Sequence, residues 1–294
     1  RSRRQRQMCI RDSNEDLYVP GYFEVDIKKG ESIIFSAGIS EISPRRLKQT
    51  FDAEVADRTP RDSFYHCLKN SAHQFHNKQE DDHYILAGYP WFKCRARDMF
   101  VALPGLTLAV DETDEFEDVM ETARKAIGNY IKGESIGCKI YEMDDPDVLL
   151  WAVWALQQYA KETSREQCRA KYGSLLEEII DFIRQRKHDN LFLHENGLLY
   201  ANGADRAITW MNSTVNGRPV IPRTGYIVEI NALWYNALRF IADLVREGGN
   251  GLLADSLDAQ AEVTGKSFVE VFRNEYGYLL DYVDGNCLLY TSPS

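Results

Sequence analysis

Apolar positions recur at helical spacing through most of the chain beyond about residue 76. In EFEDVMETARKAIGNY, Phe116, Val119, Met120, Ala123, Ile127 and Tyr130 fall on one face, the spacing of an amphipathic helix. SLLEEIIDFIRQRK repeats the pattern with Leu175, Leu176, Ile179, Phe182 and Ile183. A third stripe runs through Ile230, Leu233, Trp234, Ala237, Ile241 and Leu244. Between the first two lies DVLLWAVWALQQYA, whose opening is apolar nearly all round apart from Asp147. A helix of that kind is buried on most sides. One-faced helices alternating with a buried one predict two concentric layers, as in an α/α barrel or toroid. A helical solenoid would alternate in the same way, but no fixed sequence period accompanies the pattern. Roughly six or seven helices are predicted.

The earlier part reads differently. YFEVDIKKGESIIFSAGIS holds two β-branched or aromatic runs joined by KKGES, a hairpin-type break. Two strands alone are marginal in water, so residues 14–45 are expected to be the last strands of an upstream β domain. Residues 46–75 read as a polar, interrupted helical linker, and 76–286 as the helical domain. RSRRQRQMCIRDS, with five arginines in thirteen residues, and the final CLLYTSPS resemble translated adapter read-through. Residues 1–13 and 287–294 are therefore expected to be non-native ends, and the chain an internal fragment.

Composition narrows the partners. A net charge of -10 argues against nucleic acid or an anionic membrane surface. No apolar run reaches the roughly 18 residues of a membrane span. Six cysteines lie scattered without CxxC pairs, which suits reduced thiols in a reducing, cytoplasmic setting better than a disulfide framework or a zinc site. His73, His76 and His83 echo a metal motif, but the surrounding NKQEDD reads as a solvated face, and no metal is expected. Cys94, between Lys93 and Arg95, reads as a packed thiol whose neighbours could lower its pKa.

Two stretches concentrate chemistry. GYPWFKCRARDMFVALPGLTLAV sets Trp91 and Phe92 before Arg95, Arg97 and Asp98, directly ahead of an apolar run. A carboxylate and a guanidinium fork there could hold sugar hydroxyls; a buried ion pair at a helix start is the plain alternative. TWMNSTVNGRPVIPRTGYIVEINALWYNAL places Trp210, Arg223, Glu229 and Trp234 around a Gly/Pro-broken loop that feeds a helix. Loops on a rigid scaffold are where binding concentrates, and aromatic faces beside polar groups suit a sugar ring.

In order and about 110 residues apart, these two stretches resemble the amylo-α-1,6-glucosidase domain of glycogen debranching enzymes. DDPDVLLWAVWALQQYA resembles that family's buried helix, and FEVDIKKGESIIF the end of its preceding β-sandwich domain. The resemblance implies a mainly α fold, here a partial (α/α)6 barrel (a six-hairpin toroid). It implies an inverting α-1,6-glucosidase that removes branch-point glucose from glycogen or limit dextrin without a cofactor or metal. A non-hydrolytic glucan-binding relative and a glucoamylase- or trehalase-like glucosidase are the alternatives. By the same resemblance Trp91, Arg97, Asp98, Asp147, Trp210, Arg223 and Trp234 are expected to bind substrate. Ala96 stands where the family usually has Gly. Asn212 stands at the family's usual general-acid position, and an amide cannot deliver a proton. Glu229 is then the candidate acid, because a carboxyl among Trp210, Tyr226 and Trp234 would be desolvated. A different register for the acid, or a Glu229 that is a helix N-terminal charge and only binds substrate, are the alternatives. The general base is not assigned: Glu275 and Asp284 are late carboxylates that nothing singles out, and the base is expected beyond the fragment. A truncated chain is expected to be inactive alone.

Overall fold

The computed structural model describes residues 21–38, 42–89, 92–203 and 206–284 in full, together with the backbone of 2–6, 14–18 and 287–290. The chain divides into two compact units, residues 1–74 and 75–294. In the first, strand β1 (Ser2–Arg6) pairs antiparallel with β2 (Asn14–Tyr18). Residues 21–38 turn at Lys28–Glu31 and bring Phe23 and Phe35 edge to face at 5.0 Å, but neither limb joins a strand ladder. Of their apolar side chains, Tyr22, Phe23, Val25, Ile27, Ile33 and Phe35 are exposed and Ile34 is partly covered. Alternation alone cannot sustain a sheet that has no layer to pack on. Helices α1 (Leu47–Ala56) and α2 (Phe64–His73) follow. Ser63 caps α2 by accepting from the His66 amide at 3.1 Å, and Asn70 ties the preceding loop down by donating to the Thr59 carbonyl at 2.6 Å.

The second unit is mainly helical: α3 (Ala96–Leu106), α4 (Thr113–Lys132), α5 (Val148–Glu162), α6 (Arg165–Arg184), α7 (Val228–Glu247) and α8 (Gly251–Phe272). α5 buries most of its circumference between Val148 and Ala160, with Trp151, Trp154, Gln157 and Gln158 partly covered along one side, and packs against α3, α6 and α7. With each fully buried large apolar side chain contributing about 1.5–3 kcal/mol, α5 is the axis of this core. The one-faced stripes of α4, α6 and α7 are buried as their spacing predicts, with Leu233 and Tyr130 partly covered at the margin. Helix ends follow local chemistry. Ser164 caps α6 through the Gln167 amide at 3.1 Å, and α4 stops at Gly133, whose φ of 73° closes the last turn in the left-handed region.

Short strands link the helices. β3 (His76–Gln79) and β4 (Asp82–Ile85) form a hairpin beside α4. β5 (Cys94–Arg95) runs parallel to β6 (Ile140–Tyr141), pairing Arg95 with Tyr141. β7 (Leu191–Leu193) and β8 (Leu199–Ala201) lead to β9 (Thr214–Val215), which pairs with β10 (Arg218–Pro219). β11 (Gly225–Ile227) joins β8 to β12 (Tyr282–Asp284), with β13 (Cys287–Tyr290) outside it. Buried Asn231 locks this sheet to α7. Its Oδ1 accepts from the Leu199 amide at 2.7 Å, and its Nδ2 donates to the Leu199 and Ile227 carbonyls at 3.0 Å.

Gly225 sits where β8, β11 and β12 meet, with φ of 126°, and a Cβ there would collide with the Val283 carbonyl oxygen. Gly225→Ala is expected to destabilise the protein by about 3 kcal/mol, from backbone strain plus overlap. Gly128→Ala, in open space within α4, is expected to stabilise it by about 0.5–1 kcal/mol. Denaturant unfolding of both variants checks the pair.

Candidate active site

The two-residue parallel pairing of β5 with β6 lays the start of α3 against residues 140–147, and the acidic run before α5 meets the arginines ahead of α3. Arg97 lies in the first turn of α3 and is buried. Its Nε donates to Asp147 Oδ2 at 2.7 Å and its Nη2 to Asp147 Oδ1 at 2.8 Å. The same Nη2 donates to Asp145 Oδ2 at 2.7 Å and to the Ile208 carbonyl at 3.1 Å. Trp151 Nε1 also donates to Asp147, at 3.1 Å. Asp147 is only 1% exposed. Arg97 and Asp147, expected to hold sugar hydroxyls, thus form a buried ion pair whose hydrogen-bonding groups are directed into the protein. A charge this deep is tolerated only when paired in this way.

Asp145 completes the cluster. Burial pushes its carboxyl up to about 7, against the pull of Arg97, and the negative Asp147 beside it pushes the same way. Arg206 adds a flanking charge, 2.7 Å from Asp144 and 3.5 Å from Asp145.

Arg95 serves the half-exposed side. Its Nη2 is 2.6 Å from Glu142 and its Nε 3.7 Å from Asp98. With the Asn212 amide oriented to satisfy its neighbours, its oxygen accepts from Arg95 Nη2 at 2.6 Å. Arg95 therefore gathers Asp98, Glu142 and Asn212 around one guanidinium. Glu142 holds a left-handed φ of 61°, a backbone state that costs a non-glycine residue about 1–3 kcal/mol. The turn out of β6 is held in that state beside the cluster. Asp98 is half-exposed, and its carboxyl is raised above the usual range by burial, against the attraction of Arg95 and Arg97.

Arg223 forms a second buried anchor. Its side chain is 1% exposed, and both Glu229 oxygens accept from it, Oε2 from Nη2 at 2.8 Å and Oε1 from Nη1. Nη2 also donates to Asp281 Oδ1 at 2.8 Å, and Nη1 to Thr209 Oγ1 at 3.3 Å. The aromatic surroundings expected for Glu229 are differently used. Trp234 is fully buried and donates to the Gly197 carbonyl at 3.2 Å. Tyr226 bonds His194 Nδ1 at 2.7 Å, and Trp210 is 60% exposed. Periodicity alone already set Trp234 on the buried stripe of α7, and packing takes it. Trp91 lies outside the described residues.

Residues 208–212 are thus gripped three times: Arg97 holds the Ile208 carbonyl, Arg223 the Thr209 hydroxyl, and Arg95 the Asn212 amide. Trp210 projects from that held segment with an open aromatic face. Asp145, Glu142, Thr209 and Asp281 are the partners that sequence reasoning did not select. Only the density of acids in MDDPD hinted at Asp145. Of the late carboxylates, Asp284 accepts from Tyr200 at 3.4 Å and Glu275 is exposed. Cys94 is buried, 3.6 Å from Met99 Sδ, and burial pushes its thiol up to about 12. Burial outweighs the flanking cations, as for a packed thiol.

In this mainly α domain the half-exposed Asp98, Glu142 and Asn212 and the exposed Trp210 stand beside the buried arginine anchors. A sequence model of the family described as amylo-alpha-1,6-glucosidase matches residues 68–288. The chain belongs to that family and carries a glycosidase-type domain related to glycogen debranching. No curated protein matches the chain. Among the described residues, no helix is long and apolar enough to cross a membrane.

The raised Asp145 carboxyl sets a pH dependence. The folded chain keeps this proton to higher pH than the unfolded one, so folding takes up a proton between about 4 and about 7. This group's contribution to stability is full below that window and is lost as pH rises through it. Asp145→Asn is expected to remove the corresponding slope. Unfolding midpoints of variant and parent across that range check it, since all other titrating groups are shared.

Proposed function

We propose that residues 208–229 form one wall of the glucose pocket of an inverting α-1,6-glucosidase, on an (α/α)6 barrel to which this helical unit belongs. Its substrate is the branch-point glucose of glycogen or limit dextrin, and its setting is the reducing cytoplasm. The observation that carries the reading is the triple hold on 208–212, which fixes the family's acid position on a preorganised wall. Exposed Trp210 supplies a face for a sugar ring, and half-exposed Asp98 offers acceptors for its hydroxyls. The free thiols of the described cysteines are in keeping with that compartment.

Inversion requires an acid that protonates the leaving oxygen and a base that activates water on the opposite face, with carboxyl groups ~6.5–9.5 Å apart. Asn212 cannot be that acid. Glu229 is the acid in this reading, and its geometry adds a condition. Both of its oxygens accept from Arg223, so one of them must exchange the guanidinium for a proton before transfer. Arg97, Asp147 and Arg223 act as positioning residues beneath the wall. The base is left unassigned.

A second reading is favoured by Asn212 itself. An amide seated on Arg95 in place of a carboxyl suits a relative that binds α-glucan without cleaving it. Glucose release from phosphorylase limit dextrin by the full-length gene product, beside its Glu229→Gln and Asn212→Asp variants, separates the two. The glucosidase reading expects release by the parent, reduced at least about 100-fold in Glu229→Gln with dextrin affinity retained. If the parent binds dextrin but releases nothing, and Asn212→Asp gains release, the glucan-binding reading replaces it.

A further inference from the structure

Apart from the arginine anchors, the β3–β4 hairpin and α4 bring a different set of groups together. His83 on β4 and Glu115 and Asp118 on the first turns of α4 place one ligand atom each within 4.8 Å of one another. Glu115 and Asp118 are three apart and share a helix face. His83 Nδ1 is 3.6 Å from Asp118 Oδ2 and 3.8 Å from Glu115 Oε2. Those separations are long for hydrogen bonds. They are close to the spacing of two ligands on one tetrahedral zinc, about 3.4 Å for bonds of about 2.0–2.1 Å.

His76 on β3 adds an independent constraint. Its Nε2 lies 3.3 Å from the Leu106 carbonyl while its Nδ1 lies 3.4 Å from Glu115 Oε2. These contacts tie the Glu115 carboxylate to β3 and, through the Leu106 carbonyl, to the end of α3. A ligating carboxylate is ordinarily held by such an outer hydrogen bond.

We propose that this cluster is a divalent transition-metal site of the zinc type. His83 Nδ1, Glu115 Oε2 and Asp118 Oδ2 are the ligands, and His76, 3.4 Å from Glu115 Oε2, steadies that carboxylate from outside the set. Imidazole nitrogen with carboxylate oxygen selects zinc-class ions over magnesium or calcium. The metal staples the β3–β4 hairpin to α4 and is structural. The His83 and His76 side chains are largely buried, while the two carboxylates are half-exposed and leave an entry path. The site does not depend on the glucosidase reading.

The test is zinc titration of the chelator-stripped chain by calorimetry, with magnesium and calcium as comparators. Thermal unfolding is followed alongside. The site predicts one zinc per chain and a rise in unfolding temperature of about 5 °C at roughly 100 times the dissociation constant. His83→Gln and Glu115→Gln should each weaken binding at least about 10-fold, while Asp114→Asn, exposed on the same turn, should not. Circular dichroism of each variant confirms that it has folded. No zinc binding at about millimolar metal would leave His76 and Glu115 a simple ion pair and overturn the site. Equal binding in the His83 and Glu115 variants, or an equal response to calcium and magnesium, would overturn it as well.

Discussion

A buried guanidinium sets the terms for this domain. Arg97 is taken from water at the start of α3, and an uncompensated charge there would cost several kcal/mol. The compensation comes from Asp145 and Asp147, 48 and 50 residues further along. Meeting them requires β5 and β6 to run side by side and α5 to begin where Asp147 can turn inward. Its Nη2, donating to both aspartates, also reaches the Ile208 carbonyl at 3.1 Å in a shared bond. One charged group therefore ties together the entry to α3, the entry to α5 and the loop that carries Trp210 and Asn212.

Arg223 repeats the arrangement from the other side of the loop. It is equally buried, and it is paired with Glu229 on α7 and Asp281 beside β12. Because α5 packs against both α3, which carries Arg97, and α7, which carries the Glu229 partner of Arg223, the two anchors are tied to one apolar core. The half-exposed groups between them have little freedom of their own. Groups held in this way present fixed donors and acceptors, the condition for recognition by geometry rather than by net charge.

Much of the fold could be read directly from the sequence, for a simple reason. Helical burial repeats within a few residues, so the stripes of α4, α6 and α7 and the all-round apolar surface of α5 are local signals. The strand-like alternation in residues 21–38 was local too, yet a strand needs a partner layer and most of these side chains stay exposed. The site was legible in outline only. Arg97, Asp147, Arg223 and Glu229 stood out as charges beside apolar runs, but whom a charge pairs with is a long-range matter. Arg223 finds Asp281 58 residues away, and no spacing rule encodes that. Asp147 was read as facing a ligand, and both of its oxygens are taken by Arg97. Trp234 belonged to a stripe and to a suspected pocket at once, and burial decided for the stripe.

Hydrogen exchange on the Arg97→Met variant addresses the central claim, that the buried guanidinium holds the 208–212 wall in place. The amides of Met211 and Val220 are bonded within that loop region, at 3.3 Å to Thr209 Oγ1 and 2.9 Å to the Ser213 carbonyl. If Arg97 is the anchor, these amides lose protection in the variant by a larger factor than the amides at the centre of α5. Unchanged exchange at Met211 and Val220, or a uniform loss across loop and α5 alike, would contradict it.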